Sequence, residues 1–86
     1  MTKKAKLLQK VRNHPKGVSF NDLDGLLTGY GFARRVPHSG SSHHIYTLGQ
    51  HQISVPYRRP YVKEVYVRHV LDILAQIDEE QGATED

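Results

Sequence analysis

The chain contains no cysteine. That excludes a disulfide framework and any thiolate-ligated metal site, and with them the small secreted scaffolds that depend on such staples. A reducing cytoplasm is the expected compartment. Long apolar runs are also lacking: Met1 to Lys10 carries two leucines among four lysines, so neither a signal peptide nor a membrane span is expected. There is no internal repeat and no low-complexity tract. A chain of 86 residues has room for one domain with a small core, which excludes a large enclosed cleft.

Acidic residues are scarce over most of the length. Five of the nine (Asp78, Glu79, Glu80, Glu85 and Asp86) fall in the last nine positions, so residues 1–77 carry 12 Lys and Arg against four acids. The formal net charge of +3 therefore conceals a charge of +8 on the part expected to fold. Such a surface concentrates polyanions and gives nucleic acid a salt-sensitive, sequence-independent affinity; it would equally suit an acidic protein or membrane, or be a solvated surface. Residues 1–77 are expected to form the single domain, and 78–86 an acidic, disordered tail.

The chain begins with helical spacing. Residues 3–13 place Leu7, Leu8 and Val11 on one side of a short helix that Pro15 and Gly17 end. Ser19 suits an N-cap, with Asp22 three residues later, and Phe20, Leu23, Leu26, Leu27 and Tyr30 then recur at helical spacing, which predicts a second helix over about 20–29. Gly29 and Gly31 offer the positive φ that favours a helix end. From Phe32 to Val36 the pattern is extended, with Arg34 and Arg35 on opposite faces of the strand. Residues 37–42 read as loop. His43–Leu48 and Gln52–Val55 read as strands joined by a turn at Gly49, completing a three-stranded meander. Val67, Val70, Leu71, Leu74 and Ile77 mark a final helix. The expected fold class is α+β, in the order α-α-β-β-β-α, a three-stranded antiparallel sheet with helices on one face and the other open to solvent or ligand.

Six histidines in so short a chain raise the question of metal binding and of acid-base chemistry. His43 and His44 are adjacent in a strand, so their rings point to opposite faces and do not readily chelate one ion; no metal or other cofactor is expected. His14, His38, His51 and His69 are expected at the surface. The segment Ser39-Gly40-Ser41-Ser42-His43-His44 differs from the others. Small residues allow close backbone approach to an anion, and an imidazole follows at the mouth of a strand. That combination suits a phosphodiester: a histidine can take the proton of a ribose 2′-hydroxyl or give one to the leaving 5′-oxygen, with Arg34, Arg35, Arg58 and Arg59 as candidate cations for the charge that develops. The residues alone leave a second reading, in which His43 and His44 are packing residues at the sheet edge.

Three segments carry a resemblance: Gly40-Ser41-Ser42-His43-His44-Ile45-Tyr46, then Ile53-Ser54-Val55-Pro56-Tyr57-Arg58-Arg59-Pro60, then the run from Lys63 to Leu74. Together they resemble the HicA family of toxin-antitoxin ribonucleases over about residues 20–77, through a Gly-Ser-His segment opening the second strand, a Val-Pro ending the third, and a Lys-Glu opening the last helix. The chain has one more serine before His43 than the common pattern, Tyr57-Arg58 after Pro56 where the family has Arg-His, and a helix before Pro15 that the minimal pattern lacks. The resemblance implies a fold like the double-stranded-RNA-binding domain and a metal-independent endoribonuclease, an mRNA interferase that cleaves messenger RNA and is neutralised by a HicB-type antitoxin. It puts the catalytic histidine at His43. Gly40, Ser41, Ser42, Arg34, Arg35, Arg58 and Arg59 are then the expected RNA-binding residues. The alternative is a non-catalytic double-stranded-RNA-binding module in which His43 is only a contact.

Overall fold

The computed structural model describes residues 3–36 and 43–82. Helix α1 (Lys3–Asn13) is followed by a 3₁₀ turn (Pro15–Gly17), helix α2 (Phe20–Gly29), strands β1 (Ala33–Arg35), β2 (His43–Leu48) and β3 (His51–Pro56), and helix α3 (Glu64–Gly82). The fold is α+β, with a three-stranded antiparallel sheet in the order β1-β2-β3. No described helix is long and apolar enough to cross a membrane.

Both ends of α2 are closed by local chemistry. Ser19 Oγ accepts from the Asp22 amide at 3.2 Å, satisfying one of the amides a helix start leaves unpaired. At the other end Gly31, at φ 103°, lets its own amide reach the Thr28 carbonyl (3.0 Å) and the Phe32 amide reach Leu27 (3.1 Å). Gly29 is helical, so the positive φ expected of both glycines belongs to Gly31 alone. The Phe32 amide is taken by this cap, which is why β1 begins at Ala33 and not at Phe32.

In the β2–β3 hairpin every strand residue is paired, from His43 opposite Pro56 to Leu48 opposite His51. The connection shrinks to Gly49-Gln50, with Gly49 at φ 59°, and β3 extends one residue beyond expectation at each end. Tyr46, Ile53 and Val55 are buried on one face, whereas Thr47, Gln52 and Ser54 on the other are exposed. The buried face joins Phe20, Leu23 and Leu27 of α2 and Val67, Val70 and Leu74 of α3 in one core, to which α1 adds Val11. Each such side chain contributes about 1.5–3 kcal/mol by leaving water.

Helix α3 runs past the expected domain end at residue 77 and continues through Gly82. Two acids of the expected tail are engaged there: Asp78 accepts from Tyr30 Oη at 2.9 Å, and Glu80 lies 3.6 Å from His51 Nε2. The Tyr30–Asp78 hydrogen bond ties to α2 a stretch whose composition alone reads as solvated.

Candidate functional site

His43 opens β2 on the exposed face of the sheet, opposite Pro56. Directly after Pro56 the chain leaves the sheet, carrying Tyr57 and Arg58 beside the imidazole. The segment then returns to the start of α3, where the Val62 amide donates to the Val18 carbonyl at 2.8 Å and anchors the approach to Lys63. The result is an open cleft of about 270 Å³ lined by His43, Pro56, Tyr57, Arg58, Lys63 and Tyr66. One imidazole, two cations and two phenol rings thus meet from three separate chain segments. Chemically, the imidazole can move a proton, the cations can hold an anion, and the rings can stack on a flat group.

The other histidine of the pair is half-buried on the opposite face. His44 lies on the helix side of β2, its ring 4.7 Å from that of Phe20 and 6.1 Å from that of Tyr57. The rings of Phe20 and Tyr57 are themselves 4.9 Å apart, so the three rings form one aromatic cluster beside the Tyr57-Arg58 wall.

The four candidate arginines have separate fates. Arg58 lines the His43 cleft. Arg59 folds back on Tyr57, donating from Nε to the phenol oxygen at 2.6 Å with its guanidinium 5.5 Å from the ring centre, and lines the neighbouring hollows. Arg35 stands opposite Ile45 on the open face, one diagonal step from His43. Arg34 faces the helix side, where its Nη1 donates to Asp24 Oδ1 at 3.1 Å, and the same oxygen accepts from Tyr46 Oη at 2.8 Å. Burial, followed by this hydrogen bond, pushes the Tyr46 phenol pKa far up. Tyr30 is likewise raised to about 12 by burial and its bond to Asp78. Gly40, Ser41, Ser42 and His38 lie outside the described residues.

Lys63, Tyr57 and Tyr66 are the lining residues that the sequence did not single out for the site. Lys63 was visible only as half of the Lys-Glu pair opening the last helix. From sequence the two tyrosines could stack bases only if exposed; in the structure Tyr57 is exposed and Tyr66 half-buried. His51 is a correction to the expected surface position: its side chain is only 15% exposed, with Nε2 turned toward Glu80. It opens β3, one residue before the expected strand, and Glu80 of the extended α3 lies 3.6 Å from its Nε2. His14 and His69 are exposed as expected. Among the described residues no three His, Asp or Glu side chains gather as a metal-binding group. No family model matches the chain, and neither a curated protein nor a solved structure matches it.

Proposed function

We propose that the protein is a metal-independent endoribonuclease of the HicA toxin type, which binds messenger RNA and cuts it with His43 in the cytoplasm under the control of a HicB-type antitoxin. The observation that carries this reading is the convergence of His43, Arg58 and Lys63 in one open cleft. Cleavage by attack of a 2′-hydroxyl on the adjacent phosphate requires a proton to leave that hydroxyl and another to reach the 5′-oxygen. His43 performs one of these transfers, and the two cations offset the charge that builds on the phosphate oxygens. One side chain in general acid-base work is worth roughly 10²- to 10⁴-fold, so turnover is slow.

A second reading has its own support. It is a non-catalytic module like the double-stranded-RNA-binding domain, which grips duplexes by shape without cutting them, and the three-stranded antiparallel sheet followed by α3 supports it. The test is cleavage of a long mixed-structure RNA in EDTA by the wild type and by His43→Ala. Cutting by the wild type alone supports the nuclease. Equal cutting by both removes His43 from the chemistry, and binding without cutting by either favours the module.

A further inference from the structure

The His43 cleft does not end at its own walls. Arg58 and Lys63 also line a second hollow of about 300 Å³ that contains Lys16, Arg59 and Tyr61. Lys16 and Glu64 in turn line a third, of about 550 Å³, between the 3₁₀ turn and α3, which adds Lys10, His14 and Arg68. Shared walls make the three one surface track. The second and third hollows are bordered by six cations (Lys10, Lys16, Arg58, Arg59, Lys63 and Arg68) and one carboxylate, Glu64. That carboxylate is matched by Arg68, whose Nη2 lies 2.6 Å from it, and Lys10 is paired with Asp22 at 3.1 Å. Lys16 has no ion pair among the described residues, is exposed, and lines both hollows.

The geometry points to a second RNA-binding subsite at Lys16, where the segment linking α1 to α2 holds the phosphates of the strand leaving the His43 cleft. This rests on the RNA reading of that cleft and extends it to the part of the chain that the HicA resemblance does not cover. RNA fits the track better than an acidic protein because Tyr61, 50% exposed, lines the second hollow together with its cations. Cations beside an exposed ring suit a strand with phosphates on one side and unstacked bases on the other. The helix-turn unit before Ser19 is thereby given a role: it carries Lys16 to the end of the track.

The test uses the full chain and 2′-O-methyl RNA, which lacks the free 2′-hydroxyl that cleavage requires, in lengths of about four and about sixteen nucleotides. Binding is read by fluorescence anisotropy across a salt series for the wild type, Lys16→Gln and Lys16→Arg. Lys16 is exposed, so the substitutions leave the fold intact, which a melting curve verifies. The expected result is that Lys16→Gln weakens the longer RNA by about 3- to 10-fold and lowers its salt slope by about 0.7, the loss of one single-strand phosphate contact, while Lys16→Arg restores both. The shorter RNA, confined to the His43 cleft, keeps its affinity. Unchanged binding of the longer RNA, or an equal loss on both lengths, overturns the subsite while leaving the cleft reading in place. If the wild type binds neither RNA, the RNA reading itself fails and the subsite falls with it.

Discussion

His43 and His44 are consecutive in the chain and stand on opposite faces of β2: His43 borders the cleft with Arg58 and Lys63, and His44 packs its ring 4.7 Å from Phe20. Substituting each should therefore break a different property. His43→Ala is expected to abolish metal-free RNA cleavage with little change in the urea midpoint. His44→Ala is expected to cost about 1–2 kcal/mol of stability through lost aromatic packing, while the folded fraction continues to cut. Cleavage that survives His43→Ala but not His44→Ala would reverse the assignment.

The same alternation separates Arg34 from Arg35. Arg34 is paired with Asp24 on the helix side, whereas Arg35 is exposed near His43. Arg35→Ala should weaken RNA binding and reduce the salt slope by about 0.7–0.9. Arg34→Ala should leave the slope unaltered and cost at most about 1 kcal/mol, as for a partly exposed ion pair. Anisotropy titrations at several salt concentrations, with urea unfolding of the same variants, measure both.

Two protonated phenols predict a loss of stability in alkali. In the unfolded chain a tyrosine ionises near its ordinary value of 10.0, while folded Tyr30 holds its proton to about 12 and Tyr46 is raised as well. Above pH 10.0 the folded state thus binds more protons than the unfolded one. The stabilisation is complete below that pH and declines as pH rises through about 12. Tyr30→Phe should flatten that decline. Tyr46→Phe should flatten it too, and should also cost about 1 kcal/mol at neutral pH by removing the hydrogen bond to Asp24. A decline in chemical-denaturation stability as steep in both variants as in the wild type would show that other groups govern the alkaline limit.

Arg58 and Lys63 are expected to act in the chemical step more than in holding the ground state. Replacing either by Ala should lower kcat on the order of 10²-fold with a smaller effect on KM, because charge on the phosphate oxygens is greatest in the transition state. Single-turnover cleavage with RNA in varied excess separates the two effects. A change confined to KM would make them binding residues only.

Much of the fold was legible in the sequence because its determinants are local. The Ser19 cap, the apolar spacing of α2 and α3, and the glycine at Gly49 are short-range signals, and each element lies within a few residues of expectation. Two departures from expectation are linked. Residues 78–82 read as tail and His51 as surface because both are polar, and each is explained by the other: α3 continues far enough for Glu80 to reach the start of β3. Composition reports solvation preferences, but it does not report that a helix has a sheet edge beneath it.

At the candidate site the division is similar. By itself the sequence determined that His43 and His44 oppose one another, that Arg34 and Arg35 do likewise, and that residues 1–77 are basic, since a strand's period of two and the charge of a side chain need no distant partner. Only the tertiary structure decided which member of each pair faces the helices, and only it brought Lys63 and Tyr66 to His43. A strand has two equivalent faces until helices distant in sequence cover one of them. Here Phe20 of α2 and the core residues of α3 cover the side of His44 and Tyr46, leaving His43 to the open cleft.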